Sequence, residues 1–424
     1  MSETIVLVIA ASVFLWGVIS ARLERADLTA PIVFMAVGAV LADAGAVHGS
    51  SAPETVKPLV EVTLVWVLFS DAARLRVQDL RTDVGMCVRL LAIGLPLTVL
   101  LGWGLAAWLF PSLGMWLALL VAAALAPTDA ALGVPVVTNP VVPFRVRRLI
   151  TVESGLNDGI VTPVVMLAIA GAASAESVPE STGMGDAAVE LLIGAGVGIA
   201  VCFGGGWLLR RARRAHWASE EFAGIAVLAL ALLAYVTSTS LHGNGFVAAF
   251  MGGLAFGAAA GQRGPAELLF LEQASGLVSL LVWLAFGAIA VPIVIDNPDP
   301  TTLLYAVLSL TLVRMVPVAL GSLGARLDRE TVLFIGWFGP RGLASLVFAL
   351  LALEMLGPAG DEAVSVIAVT VFLSVLAHGV SAGPLAARYG RQQRAAGGAA
   401  PHGEPTPDLP VRGLPRRARV SPPS

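Results

Sequence analysis

Charge is scarce in this sequence. Asp, Glu, Lys and Arg make up 13% of the 424 residues, against roughly 25% in an ordinary soluble domain. The net charge of −3 is too small to indicate a nucleic-acid partner. These two shortages exclude a charged soluble domain of ordinary size and a basic nucleic-acid-binding module.

Cysteine and the familiar site motifs are also rare. Cys87 and Cys202 are the two cysteines, and neither lies in a metal-ligand spacing. No glycine-rich phosphate motif follows a strand, so we expect no nucleotide-sensing domain and no cofactor. The segment Met1-Ser-Glu-Thr lacks a basic stretch. We therefore expect the first apolar run to be a retained membrane span and not a cleaved signal peptide.

Long apolar runs are abundant instead. Hydrophobic residues make up 57% of the chain, and runs near 20 residues recur along it, each long enough to cross a hydrocarbon core of about 30 Å. The pattern predicts an all-α integral membrane protein with about thirteen transmembrane helices. The predicted spans are 4–20, 30–43, 58–73, 87–109, 114–138, 146–171, 187–209, 220–239, 241–260, 268–291, 302–325, 331–355 and 363–387.

The basic residues support this count by their position. Nearly all of the 26 Lys and Arg residues fall in alternate loops and in the tail. By the positive-inside rule, this predicts an external N-terminus and a cytoplasmic C-terminus. Heavy use of Ala, Gly and Arg favours a bacterial plasma (inner) membrane. Residues 390–424 are rich in Arg, Pro, Gly and Ala and are expected to form a disordered cytoplasmic tail.

Five charged residues interrupt the apolar runs near mid-membrane. Ionisable groups at this depth are costly, so they face the protein interior or a wet cavity and mark function. The five lie in the fifth, sixth, eleventh and twelfth spans: Asp129, Glu153, Asp158, Arg314 and Arg341.

Two spans are expected to be broken helices. Pro127 precedes Thr128-Asp129 in the fifth span, and Gly339-Pro-Arg-Gly342 lies inside the twelfth. Unwound backbone at this depth is tolerated only where it is buried or lines a cavity. The two spans run in opposite directions, which predicts an inverted repeat with a site between the halves. Spans one to six would match spans eight to thirteen.

The sixth span carries a polar strip at helical spacing, with Glu153, Ser154, Asn157 and Asp158. Carboxylate, hydroxyl and amide oxygens are the ligands of hard cations. Burial favours the protonated form of a carboxylate, so Asp158 can hold either a proton or a cation. The alternative for Ser154 and Asn157 is hydrogen bonding between helices.

The buried arginines require partners. Arg341 is the first choice to pair with Glu153 and Arg314 the second, in a structural ion pair; the alternative is that Glu153 exchanges the proton. Asp71 ends the third span, where a solvated helix end is favoured over an entry funnel. His378 is expected to be hydrogen-bonded in preference to sensing pH.

Together these motifs resemble a known family. Pro127-Thr-Asp129, Glu153-Ser-Gly-Leu-Asn-Asp-Gly159 and Gly339-Pro-Arg-Gly342 are similar to those of the NhaP-type sodium/proton antiporters of the cation:proton antiporter-1 family. The resemblance covers residues 1–389. It implies an NhaA/NhaP-like fold of two inverted six-helix repeats, working as a homodimer. Spans 4–6 and 11–13 would form a core that moves against a dimerisation domain of spans 1–3 and 7–10.

The resemblance also implies roles for the site residues. Asp158 would be the shared cation and proton site, with Asp129, Thr128 and Ser154 completing the coordination of Na⁺. Glu153 and Arg341 would form the structural ion pair. Asn157, in place of a second Asp, is similar to relatives that exchange one cation for one proton without net charge movement.

The function expected is therefore Na⁺ (or Li⁺)/H⁺ exchange by alternating access, and not an enzymatic one. A K⁺/H⁺ antiporter of the same fold is the nearest alternative. A cation channel is a distant one, because no filter-like repeat is present. A membrane-embedded enzyme using Glu153 and Asp158 lacks an accompanying metal cluster or nucleophile.

Overall fold

The predicted spans are helices in the structure, a computed structural model that describes residues 3–24, 28–44, 52–74, 84–130, 132–175, 184–260, 265–296 and 299–395. If each interrupted helix is counted once, these residues form thirteen helical segments, as predicted. Eight stretches among the described residues are long and apolar enough to cross a membrane, and three shorter apolar helices accompany them. The chain is therefore a multi-pass, all-helical membrane protein.

We number the segments along the chain. The first half contains α1 (Glu3–Glu24), α2 (Ala30–Asp43), α3 (Ala52–Arg74), α4 (Val84–Leu109), α5a (Gly114–Leu125), α5b (Val134–Val137) and α6 (Phe144–Ala175). The second half contains α7 (Met184–Arg214), α8 (Glu220–Ser240), α9 (Gly245–Ala259), α10 (Pro265–Asp296), α11a (Pro300–Leu310), α11b (Leu312–Gly321), α12a (Arg329–Trp337), α12b (Leu343–Leu356) and α13 (Asp361–Ala395).

The helices begin and end where local chemistry dictates. The narrow gap between α8 and α9 is possible because Asn244 caps α9, its Oδ1 accepting from the amides of Phe246 and Val247 at 3.1 and 3.0 Å. Asp299 and Asp328 cap α11a and α12a in the same way. Such caps satisfy amides that the first helical turn leaves without partners.

Three departures from the predicted spans stand out. Residues 90–94 of α4 form a π-helical turn, and α11 is interrupted at Thr311, whose φ and ψ are −107° and −87°. The hydroxyl of Thr311 donates to the carbonyl of Val307 at 2.6 Å. Residues 390–395, predicted as tail, continue α13 instead. The rest of the predicted disordered tail lies outside the described residues.

Two sets of helices surround the centre. α2 packs along α10, and α9 lies against both α3 and α7. α5a packs against α4 and α6, while α11a packs along α13. The two sets meet where α6 contacts α3 and α9, and where α12b contacts α3. The division into a moving core and a dimerisation domain stays a prediction.

Candidate functional site

The two broken helices meet where they are unwound. The amide of Asp129 donates to the carbonyl of Pro340 at 2.8 Å. A Cβ atom on Gly342 would come within 2.1 Å of Asp129 Oδ2, and one on Gly339 within 3.0 Å of Thr128 Cγ2. Only glycine permits so close an approach of the two segments. The predicted pair of interrupted helices is therefore confirmed, and the segments cross in contact.

Each unwound segment also supplies a hydrogen-bond partner to a backbone group at a helix end of the other broken helix. Asp129 Oδ2 accepts from the amide of Leu343, the first residue of α12b, at 3.1 Å. Arg341 donates to the carbonyl of Ala126, just beyond α5a, at 3.3 Å. A negative group thus lies at a helix N-terminus and a positive group at a helix C-terminus, as the helix dipoles favour. The predicted role of Asp129 as a cation ligand stays a prediction.

The buried ion pair of α6 involves Arg314. Its Nη1 and Nη2 atoms donate to the two carboxylate oxygens of Glu153 at 2.5 and 2.9 Å. Both residues are 2% exposed. The first-choice partner, Arg341, is wrong, and the second choice is right. The interruption at Thr311 lies three residues before Arg314, and no sequence motif marked that break.

Arg341 is fully buried and held by backbone groups. Its guanidinium donates to the carbonyls of Ala126, Gly339 and Ser309 at 3.3–3.5 Å. Its own amide donates to the hydroxyl of Ser374 at 2.7 Å. Unwound backbone supplies carbonyl acceptors that regular helices would use internally, so the two terminal nitrogens of Arg341 find acceptors without a carboxylate at hydrogen-bonding distance. Its Nε has no acceptor among the described residues.

Thr128 is the centre of a small polar cluster between α5 and α6. Its Oγ1 accepts from Asn157 Nδ2 at 2.7 Å and lies 3.0 Å from Ser154 Oγ. All three side chains are buried. Asn157 Oδ1 has no hydrogen-bond donor among the described residues. The structure therefore brings three predicted ligand residues together, with a buried amide oxygen available to a cation.

Asp158 follows Asn157 on α6 and is buried at 8% exposure. Its neighbour Gly159 faces Phe250 of α9, and a Cβ on Gly159 would come within 2.0 Å of the ring. Phe250 is itself buried. An apolar contact between the two sets of helices therefore lies one residue from Asp158, which the sequence reading did not anticipate.

Asp71, at the end of α3, packs against α6 and is not a fully solvated helix end. It is half-buried, and a Cβ on Gly155 of α6 would be 3.9 Å from Asp71 Cβ. Gly155 precedes Asp158 by three residues, so Asp71 packs beside the polar part of α6. Its role in an entry funnel stays a prediction.

His378 links α13 to the C-terminal end of α12a through hydrogen bonds. Its Nε2 lies 2.9 Å from the carbonyl of Trp337, and its Nδ1 lies 2.8 Å from the carbonyl of Ser374. The expectation of a hydrogen-bonded histidine is confirmed. Because Ser374 also accepts from the Arg341 amide, α13 holds the unwound segment on both sides.

Among the residues that the structure describes, acidic, histidine and cysteine side chains are dispersed. Within the described ranges, no group of three or more His, Cys, Asp or Glu side chains could hold a metal ion. The arrangement instead offers hydroxyl, amide and carboxylate oxygens around a pair of broken helices. Oxygen atoms of these kinds are the groups that bind hard cations.

Comparison with known proteins agrees with this geometry. The model of the family described as "Sodium/hydrogen exchanger, transmembrane" matches residues 8–388. The chain belongs to this family. It is an NhaP-type member of a transporter family, as the motifs predicted.

The chain is similar to several curated antiporters. It is 27% identical over 371 residues to the K⁺/H⁺ antiporter NhaP2 of Shewanella oneidensis, covering 84% of this chain and 62% of that protein. It is 27% identical over 382 residues to the K⁺/H⁺ antiporter NhaP of Alkalimonas amylolytica, covering 87% and 64%. The Na⁺/H⁺ antiporter ApNhaP of Aphanothece halophytica is 26% identical over 383 residues, covering 87% and 71%. The chain thus spans a little over three fifths of the length of the first two relatives.

A solved structure confirms the fold. The sodium proton antiporter MjNhaP1 of Methanocaldococcus jannaschii, at pH 8, superposes with a TM-score of 0.71 at 22% identity. The match covers 90% of this chain and 97% of that one. The predicted antiporter fold with broken, crossing helices is therefore that of this protein.

Proposed function

We propose that the protein exchanges a monovalent cation for protons by alternating access. The observation that carries the proposal is the crossing of two unwound segments against the cluster of Thr128, Ser154 and Asn157, beside Asp158. Broken helices near mid-membrane are typical of carriers with a central ion site. The names of the family and of its antiporter relatives support the same reading.

Competition at one carboxylate is the mechanism we propose. A proton and a cation cannot both neutralise Asp158, so each displaces the other. Moving a bare carboxylate through an apolar gate costs several kcal/mol, and Phe250 against Gly159 supplies such a gate. Only the occupied site then crosses, and exchange follows without a covalent step. With Asn157 in place of a second carboxylate, we propose one-for-one, electroneutral exchange.

The cation is proposed to be Na⁺ or Li⁺, coordinated by Asp158, Asp129, Thr128 and Ser154. K⁺ is the second candidate, because the two relatives from Shewanella oneidensis and Alkalimonas amylolytica are named as K⁺/H⁺ antiporters. We further propose a homodimer in the plasma membrane with a cytoplasmic C-terminus. The alternating placement of arginines between spans supports this orientation.

The test is the loss of an imposed pH gradient in proteoliposomes when Na⁺, Li⁺ or K⁺ is added. We expect Na⁺ or Li⁺ to dissipate the gradient in the wild type and not in Asp158→Asn, with unchanged expression and oligomeric state. A response to K⁺ alone would keep the mechanism and change the substrate. Full activity of Asp158→Asn would rule out the proposed mechanism, and saturable flux without single-channel current would separate a carrier from a channel.

A further inference from the structure

A basic cavity lies at the C-terminal end of α7, away from the ion site. Its volume is about 330 Å³, and its wall is formed by Trp207, Arg210, Arg211, Arg214, Ala215 and Trp217. Neither the polar cluster around Thr128 nor the crossing of the broken helices includes any of these residues. The cavity is therefore separate from the candidate ion site.

The local sequence explains why these side chains share one wall. Trp207, Arg210, Arg211 and Arg214 follow the spacing i, i+3, i+4, i+7, which places them on one face of a helix. Beyond the helix, His216 adopts a left-handed φ of 56°. The Trp217 amide then donates back to the Ala212 carbonyl at 2.8 Å. This helix-ending turn folds Trp217 back toward the last arginines.

An ion pair next to the cavity involves none of the arginines that line it. Arg213, on another side of the helix, pairs with Glu267 of α10. In the part of the chain that the structure describes, no acidic side chain forms a salt bridge with Arg210, Arg211 or Arg214. Favourable placement at a helix C-terminus accounts for some basic residues here. The positive-inside rule accounts for their side of the membrane, but neither effect requires three guanidinium groups to line one cavity between two tryptophans.

An exposed apolar strip leads along α7 to this cavity. Leu192, Ile199 and Phe203 are 74%, 42% and 52% exposed, and their spacing of seven and four residues continues to Trp207 on the same face. One face of α7 is therefore apolar from Leu192 to Phe203 and cationic at its C-terminal end, with tryptophans at the boundary. Tryptophan at a membrane interface and basic residues beside it are features of contact with a lipid headgroup.

We propose that this cavity binds the headgroup phosphate of an anionic phospholipid, with its acyl chains along the apolar strip. The three arginines would donate to the phosphate oxygens, because a guanidinium can contact two oxygens at once. Trp207 and Trp217 would flank the glycerol region. The predicted cytoplasmic position of this end of α7 fits, because anionic lipids are enriched in that leaflet.

The experiment is native mass spectrometry of the full-length protein purified in detergent and titrated with phosphatidylglycerol or phosphatidylcholine. We expect phosphatidylglycerol to bind the wild type and phosphatidylcholine to bind at least about 10-fold more weakly. The variant R210Q/R211Q/R214Q should lose about 10-fold or more in affinity for phosphatidylglycerol. The matched control is R388Q/R391Q/R394Q, which removes the same charge from exposed arginines at the end of α13 and should bind like the wild type.

A second variant separates a built cavity from a diffuse positive surface. Trp217→Ala keeps every charge but removes one wall, so we expect it to bind phosphatidylglycerol several-fold more weakly. Wild-type binding by Trp217→Ala, or equal losses in the two arginine triplets, would overturn the proposal. So would full displacement of the lipid by inorganic phosphate at equal concentration, which would identify a site for the free anion. Dissociation of a dimer in R210Q/R211Q/R214Q with unchanged lipid mass would show a subunit contact instead.

Discussion

Arg314 and Glu153 form a two-point ion pair at the centre of the protein, across 161 positions of sequence. The pair joins α11b to α6, and both side chains are buried. Removing one partner from a buried pair leaves an uncompensated charge, whereas removing both does not. Single substitutions of Glu153 or Arg314 should therefore destabilise the protein more than the double substitution does.

We therefore expect Glu153→Gln to lower the stability of the folded protein by about 3 kcal/mol or more. Thermal unfolding in detergent and the yield of monodisperse protein measure this effect. The double variant E153Q/R314Q should recover part of the loss. The structural role would be contradicted if Glu153→Gln melted like the wild type while its apparent cation affinity collapsed, since Glu153 would then be the exchanging group.

Thr128 tests the polar cluster. Thr128→Val keeps the shape of the side chain but leaves Asn157 and Ser154 without their shared oxygen, a change that costs about 1–3 kcal/mol at a buried site. We expect the concentration of cation for half-maximal exchange to rise about 10-fold or more. Thr128→Ser retains the hydroxyl and serves as the control. Equal behaviour of the two variants would remove Thr128 from the coordination.

Asp129 has an observed role and a predicted one, and two substitutions separate them. Asn accepts a hydrogen bond from the Leu343 amide nearly as well as Asp, whereas Ala cannot. We expect Asp129→Ala to lose about 1 kcal/mol of stability and Asp129→Asn to melt close to the wild type. If Asp129 also binds the cation, Asp129→Asn will still transport poorly. Wild-type transport by Asp129→Asn would show that Asp129 caps α12b and does not bind the cation.

The contact of Gly159 with Phe250 predicts a rescue. Gly159→Ala places a methyl group inside the volume of the Phe250 ring, and overpacking of this kind costs about 1–3 kcal/mol. We expect slower exchange at normal or reduced yield, because α6 and α9 are forced apart beside Asp158. The double variant G159A/F250L should restore exchange, since leucine is smaller there. A double variant as slow as Gly159→Ala would show that the effect arises elsewhere.

Much of this architecture could be predicted because the bilayer restricts the options. Apolar length fixes the spans, and the isolated charges point to the centre. Pro127 and Gly339-Pro-Arg-Gly342 mark the breaks. Proline lacks the backbone N–H that a helix needs, and glycine, which has no Cβ, adopts backbone conformations that other residues avoid. The family resemblance also implied that Thr128 lies near Ser154, as it does.

The pairing of the arginines could not be predicted in the same way. Arg314 and Arg341 have the same charge and similar depth, so residue type does not distinguish them. The interruption at Thr311 has no proline or glycine to mark it. The carbonyls that accept from the Arg341 guanidinium are available only once the backbone is unwound. Likewise, the closeness of Phe250 to Gly159 depends on how α9 packs against α6, which is a property of the assembled fold.

The reciprocal capping of the broken helices has an electrical consequence. Asp129 and Arg341 carry opposite charges on the two crossing segments, and Glu153 balances Arg314 beside them. A membrane voltage does work only on net charge that is displaced along it. If these four groups moved as a unit, they would displace no net charge, and the membrane voltage would do no work on them. The electrical character of a transport cycle would then depend on what is bound at the site, and not on the scaffold that carries it.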